Sequence, residues 1–386
     1  MARVTISTSV KNILAFFFIV FVIISSQNQL GARSLDFPTD RYGISIGNSK
    51  DFTGLRINWR DRDVEEIRGV NLTLWIPAKE RISRAEITGM SLGLLPFGDV
   101  LTGLNLGLAG VGAGDSLKGL NLGLIGMGAG SDITGINIGG LGAGAGSDLT
   151  GINIAGIGIG AGSGMTGINI VGVGGGAGGN LKGFNIAGVG IAAGSDLTGV
   201  TIAGGGAGAG GSMTGANFAG LGVGAGGDLT GINIAGIGAG AGGSLKGINI
   251  MGAGAGAGGD IRGLNIAGIG FGSGGSIWGL NVAGIGAGAS RLTGAAIAGI
   301  GLGGNELKGL FIAGGIVKVD DSFYDGELTG FSASVFNQIK GRQRGVSLGI
   351  VNYAHELDGL QIGLINIVRD NPDFMRILPL LNWHFD

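Results

Sequence analysis

Residues 149–164 read LTGINIAGIGIGAGSG, and the sixteen before them, 133–148, read ITGINIGGLGAGAGSD. Copies of this unit follow one another from Leu101 to Ile277 at a period of 16, after which two units shorten to 15. Asn105, Asn121, Asn137, Asn153 and Asn169 share one column, which continues through Asn185, is interrupted by Thr201, and resumes at Asn217, Asn233, Asn249, Asn265 and Asn281. A fixed period of this size is the mark of a stacked repeat, in which each unit buries its apolar side chains only against its neighbours.

Within residues 149–164 the apolar positions are Leu149, Ile152, Ile154, Ile157, Ile159 and Ala161, at spacings of 3, 2, 3, 2 and 2. A spacing of 2 is that of a strand, and each 3 flips the parity. A coil that turns corners at Thr150-Gly151 and Ala155-Gly156 absorbs those flips, and the expectation is that it points all six residues inward. Glycine fits such corners because it adopts positive φ without steric cost. Stacking the coils then puts asparagine on asparagine, so that side-chain amides form a ladder.

Weaker copies extend the array. Upstream are Phe52-Thr53-Gly54-Leu55-Arg56-Ile57, Ile67-Arg68-Gly69-Val70-Asn71-Leu72 and Ile87-Thr88-Gly89-Met90-Ser91-Leu92. Downstream are Leu328-Thr329-Gly330-Phe331-Ser332, Gly345-Val346-Ser347-Leu348-Gly349 and Leu357-Asp358-Gly359-Leu360-Gln361-Ile362. The expectation is an all-β solenoid of about twenty short coils with irregular capping units at both ends, a rod of roughly 95 Å at about 4.8 Å per coil. Four segments result: a signal peptide (1–32), an N-terminal cap (33–100), the Gly-rich array (101–317) and C-terminal irregular repeats with a cap (318–386).

Composition agrees. Of 386 residues 91 are glycine, only 5 are proline and 13% are charged, which leaves a repeat array rather than collagen or a disordered chain. The formal net charge of -2 gives no electrostatic footprint for nucleic acid. Cysteine is absent, which removes disulfides and thiolate metal sites and is compatible with an oxidising exterior. Arg3 and Lys11 precede the apolar run 13–24, followed by Ser25, Ser26, Gln27 and Asn28, the pattern of an export signal.

The competing architecture is an outer-membrane up-and-down barrel. The turn column Asp196, Ser212, Asp228, Ser244, Asp260, Ser276 alternates, giving a period of 32 that two kinds of barrel turn would also produce. The C-terminal alternation Leu381, Trp383, Phe385 points the same way. The parity flip in each unit, the lack of aromatic girdles and equally short turns at both ends point against it.

Motifs that carry chemistry elsewhere have plainer readings here. Two stretches match G-x-S-x-G, around Ser91 and Ser347, but in both the serine takes the asparagine column, and the only histidines are His355 and His384. The many G-x-G-x-x-G strings open no helix and follow from alternate glycine. The turn aspartates lack the spacing of calcium-binding nonapeptides and read as corner residues. Thr134, Thr150, Thr166, Thr198, Thr214 and Thr230 form a partial column, reminiscent of an ice-binding face but broken by Lys182 and Lys246. The Gly-Ala alternation of 142–147 is silk-like and could let a partner approach closely. The charge-dense segment 33–88, with Trp59 and Trp75, and the insert 320–327 are where a specific site would be sought. No catalytic, cofactor or metal residue emerges.

The C-terminal units Gly345 to Asn352 and Gly359 to Asn366, each reading G-h-[SQ]-[LI]-G-[IL]-h-N with h apolar, resemble a family of bacterial cell-surface repeat proteins of unknown function. So do Leu378-Pro379-Leu380-Leu381-Asn382-Trp383, Gly54-Leu55-Arg56-Ile57-Asn58 and Gly69-Val70-Asn71-Leu72-Thr73-Leu74-Trp75. The resemblance covers both flanks and implies export and a surface location; it transfers no catalytic residue. The expected function is that of an exported, non-enzymatic structural or adhesive surface protein, at the cell surface, in the outer membrane or outside the cell. It would work without cofactor, with lateral self-association or a surface partner, no small-molecule substrate and no nucleic acid. The alternative is an outer-membrane barrel serving as pore or anchor, with the membrane association that implies.

Overall fold

The computed structural model describes residues 34–78, 85–320 and 326–385, so the expected signal segment 1–32 and residues 321–325 of the insert lie outside the described residues. The described chain is all-β apart from one short 3-10 turn, Asp373–Met375. It comprises two compact units that meet in sequence at Gly178 and Gly179. Each is a parallel β-solenoid with a 16-residue period over the Gly-rich array.

In the first unit the coil that starts at Leu149 has a seven-residue strand, Leu149–Ala155, and a four-residue strand, Gly158–Ala161. Leu149–Ala155 pairs in parallel with Ile133–Gly139 on one side and Met165–Val171 on the other, residue for residue at an offset of 16: Asn153 faces Asn137 and Asn169. An up-and-down barrel requires antiparallel neighbours, so the array is a solenoid and not that barrel.

Both expected corners exist. Gly151 has φ +114, and a Cβ there would lie 2.0 Å from the Gly135 carbonyl oxygen, so neither the backbone angle nor the space admits another residue. Past Ala155 the chain bends at 156–157, and the Gly156 N–H donates to the Gly140 carbonyl at 3.0 Å, which carries the stacking through the corner.

The side-chain directions differ from the expectation. Leu149, Asn153, Ala155, Ile159 and Ala161 point in and are buried, whereas Ile152 and Ile154 are half-exposed and Ile157 is 53% exposed. The bend at Gly151 resets the alternation so that Asn153 and Ala155 share the inner face, and the isoleucines flanking Asn153 must then face out. Burial of the amide costs little because each one is satisfied by the next coil. Asn105 Nδ2 donates to Asn121 Oδ1 at 2.7 Å, Asn121 to Asn137 at 2.8 Å, Asn137 to Asn153 at 2.7 Å and Asn153 to Asn169 at 2.8 Å.

The interior is thin, and in the column of Ile159 a large residue is set between small ones. Ile159 lies between Ala143 and Gly175, and a Cβ on Gly175 would stand 2.8 Å from Ile159 Cγ1, so the isoleucine has taken the space of its neighbour.

The second unit repeats the plan. Leu229–Ala235 and Gly238–Ala241 form one coil, and Leu229–Ala235 pairs in parallel with Met213–Ala219 and with Leu245–Met251. Its ladder runs from Asn217 through Asn233, Asn249 and Asn265 to Asn281 at 2.7–2.9 Å. At the 15-residue units the pairing offset shortens without loss of column: Asn281 faces Ala296, which faces Phe311. There the large residue again alternates with a small one, as Phe271 does between Ala255 and Ala287.

Antiparallel strands terminate the parallel ladders. Ser34–Pro38 pairs antiparallel with Tyr42–Gly47 in the first unit, and Ile377–His384 pairs antiparallel with the long bent strand Glu327–Val368 in the second. Such closure leaves less open edge on which another chain could add by strand pairing.

Candidate functional site: the outward apolar face

Three columns of apolar side chains face solvent. In the coil 149–164 they are represented by Ile152, Ile154 and Ile157. The first two lie two residues apart on one strand and so share its outer face, while the third follows the bend. In the first unit Ile152 stacks between Ile136 and Ile168, and Ile157 between Leu141 and Val173. In the second unit the equivalents are Ile232 and Ile248, Ile250 and Ile266, and a bend column in which Ile237, Ile269, Ile285 and Ile300 are each 48–58% exposed, with the small Ala253 between Ile237 and Ile269. Single exposed isoleucines are ordinary on a protein surface; contiguous columns of them mark a face that contacts something apolar.

The opposite corner of each coil is polar and is tied from coil to coil. Asp148 Oδ1 accepts the Gly164 N–H at 2.8 Å. In the second unit Asp196, Asp228 and Asp260 accept the N–H of Ser212, Ser244 and Ser276, each at 2.8 Å. Ser212 and Ser244 in turn accept from the Asp228 and Asp260 N–H groups at 3.1 and 3.3 Å. Each turn side chain therefore caps the next coil, which is why either aspartate or serine fits that column. The Lys246 ammonium, 2.7 Å from Asp228, and the Ser244 N–H hold the Asp228 carboxyl below the usual carboxylate range. The Ser276 N–H and the Arg262 guanidinium do the same for Asp260. Arg262 also lies over the Trp278 ring, 5.4 Å from its centroid.

Between these corners the strand Gly142–Ala145 and its equivalents form the silk-like side. A Cβ on Gly144 would have no atom within 4 Å, so the coil itself does not require that residue to be bare.

The motif serines lie inside. Ser91 is 1% exposed, between Asn71 and Asn105 in the inner column, and Ser347 is fully buried with its hydroxyl 2.8 Å from that of Ser332. His355 is 3.3 Å from Asp370 at the surface. The threonines Thr134, Thr150 and Thr166 do project outward, one per coil, in a column that Lys118 occupies in the preceding coil. Among the described residues no three His, Asp or Glu side chains cluster as metal ligands would.

Ile152, Ile154 and Ile157 face outward against the expectation because hydrophobicity alone does not dictate burial in so thin a coil. Asn153 alternates with Ile152 and Ile154 in sequence, so the amide column and those two isoleucines cannot share a face, although the alternation does not say which face is inner. The chain matches no protein-family model, no curated protein and no solved structure.

Proposed function

We propose that this chain is an exported, non-enzymatic structural or adhesive element of the cell surface, and that it adheres through its outward isoleucine face. The observation that carries the reading is the run of half-exposed apolar columns, in particular Ile237, Ile269, Ile285 and Ile300. A chain selected only to fold could place threonine or serine there at little cost, because those side chains contribute nothing to its own interior. A face kept apolar coil after coil gains free energy when it is covered, on the order of 25 cal/mol per Å² of apolar surface removed from water. Export is supported by Arg3 and Lys11 ahead of the apolar run 13–24.

The test replaces Ile237, Ile269 and Ile285 together by serine in the full chain. Sedimentation equilibrium and retention on an octyl-agarose surface are compared with the parent protein. The reading predicts weaker self-association or weaker retention with unchanged β circular dichroism. Identical behaviour of parent and variant in both measurements would overturn it.

A further inference from the structure

The first coils of the N-terminal unit differ from the array in one column. Where residues 149–164 carry Gly156, the earlier coils carry Leu74, Leu94, Leu108 and Leu124. Two residues before each of these stands another leucine, and Leu72, Leu92, Leu106 and Leu122 are stacked in register, with Ile138 next in line. The two leucine ridges flank the narrow residues Gly93, Gly107 and Gly123 and enclose a groove of about 650 Å³. That volume falls within the range of small-molecule sites, roughly 300–1,000 Å³.

Both ends of the groove are built. At one, Trp75 closes it, held by a parallel stack on Trp59 with ring centroids 5.9 Å apart. At the other, the outer leucine ridge stops at Gly140, where a Cβ would lie 1.7 Å from the Leu124 carbonyl oxygen; the path of the backbone forbids another leucine. From Leu72 to Ile138 are four coil steps of about 4.8 Å, or about 19 Å. An extended lipid chain covers about 15 Å, half of the ~30 Å hydrocarbon core of a bilayer.

The walls offer no row of donors and acceptors, so an extended peptide laid here would leave its backbone unsatisfied, at a cost of roughly 1–3 kcal/mol for each group. An occupant that is apolar along its length and polar only at one end meets no such penalty. The polar end has a counterpart. Arg60, next to Trp59, does not itself line the groove, but it donates through Nη2 to the Pro77 carbonyl at 3.4 Å, two residues beyond Trp75. Its Nε is buried without a hydrogen-bond partner, and among the described residues no carboxylate pairs with it. Guanidinium and carboxylate match in charge and in geometry.

We infer that this groove binds one long-chain fatty acid, its chain lying across the leucine coils and its carboxylate at Arg60. The inner ridge continues through Ile138 into the Ile154 column of the outward apolar face; what sets the groove apart is the second ridge, Leu74, Leu94, Leu108 and Leu124, and its occupant does not depend on the adhesive role.

The test titrates the full chain with cis-parinaric acid, following energy transfer from tryptophan, and then displaces the probe with palmitate. The inference predicts one saturable site per chain. Leu124→Lys, at a residue 71% exposed and so free to change without disturbing the fold, weakens binding by at least about tenfold, the effect of placing a charge against an acyl chain. Ile237→Ser leaves binding unchanged. Arg60→Gln weakens palmitate about tenfold, the value of a charge-assisted hydrogen bond, and leaves hexadecanol unaffected. Absence of saturable binding, many equivalents bound per chain, or equal loss in Ile237→Ser and Leu124→Lys would overturn the site. An Arg60→Gln variant that binds palmitate as the parent does would overturn the placement of the head group. Phosphatidylcholine vesicles form the remaining arm: Leu124-dependent binding to vesicles with none to free acid would contradict the fatty-acid inference and identify a lipid surface instead.

Discussion

The same inner column is filled in two ways within the first unit. Along the array it holds neutral amides, Asn105 to Asn169, each donating to the next. Near the N-terminus it holds Arg56, which faces Ser45 on one side and Asn71 on the other. The Arg56 guanidinium is fully buried, bonded to Asp61, to Asn71 Oδ1 at 2.7 Å and to Asn48 Oδ1 at 2.9 Å, while Asp61 also accepts from Asn58 at 3.0 Å and Thr73 at 2.8 Å. An amide is donor and acceptor at once, so it can repeat indefinitely at a coil spacing of about 4.8 Å. A guanidinium only donates, and a second one in the adjacent coil would repel it; it can occur once, at an end, with an acid dedicated to it. The array thus depends on self-complementarity and the end on a unique cluster.

That contrast predicts unequal responses to mutation. Asp61→Ala leaves a buried cation without its counter-charge, and a loss of about 3–5 kcal/mol is expected in urea unfolding followed by circular dichroism. Replacing the cluster at one stroke, Arg56→Met with Asp61→Leu, should cost much less than the single change, since no charge is left unpaired. If the double variant is as unstable as Asp61→Ala, the cluster does not act as a charge pair.

A cut in the ladder costs less. Asn153→Ala leaves the Asn137 amide donor and the Asn169 carbonyl acceptor without their partners, with an expected loss of about 2–3 kcal/mol by the same measurement. The second unit contains a natural cut. Thr201 faces Asn217 in the ladder column, both are fully buried, and neither Thr201 Oγ1 nor Asn217 Oδ1 has a hydrogen-bond partner. Thr201→Asn supplies the missing donor and should stabilise the unit by about 1 kcal/mol; a neutral or harmful effect would mean that the column tolerates gaps.

The smallest effect is acid sensitivity. Asp228 and Asp260 have carboxyls held below the ordinary value of 3.8 by Lys246, Arg262 and the coil-capping N–H groups. A lowered folded-state pKa means that their contribution is complete above the unfolded value and fades as the pH falls through the folded one. The thermal midpoint should therefore be level from about pH 5 to 7 and decline only below about pH 4, with Asp228→Asn and Asp260→Asn shrinking the decline. Both carboxylates are half-exposed and in contact with solvent, so the effect is slight.

Much of the fold was legible because a fixed period leaves few options. The corner at Gly151, the parallel stacking and the amide ladder all follow from the 16-residue register of LTGINIAGIGIGAGSG. What did not follow was the direction of Ile152, Ile154 and Ile157. The bend at Gly151 changes which parity is inner, and a pattern of apolar spacings alone does not say on which residue the alternation restarts. The turn aspartates sit at corners, as the sequence implies, yet their role as caps for the next coil depends on stacking geometry that a single unit does not contain. The leucine groove was hidden for a related reason: Leu106, Leu108, Leu122 and Leu124 look like core in sequence, and only the thinness of the coil, filled by Asn105 and Asn121, pushes them out.

The central claim is a parallel, in-register coil with asparagine inside and isoleucine outside, and the chain has no native cysteine to complicate spin labelling. Nitroxides attached through Ile152→Cys and Ile168→Cys would sit on directly paired residues of adjacent coils, about 4.8 Å apart at the backbone. The account predicts strong dipolar broadening for this pair in frozen solution, mobile spectra for each single label, and an immobilised label at Asn153→Cys. An unbroadened 152/168 pair, or a label more mobile at position 153 than at 152, would contradict it.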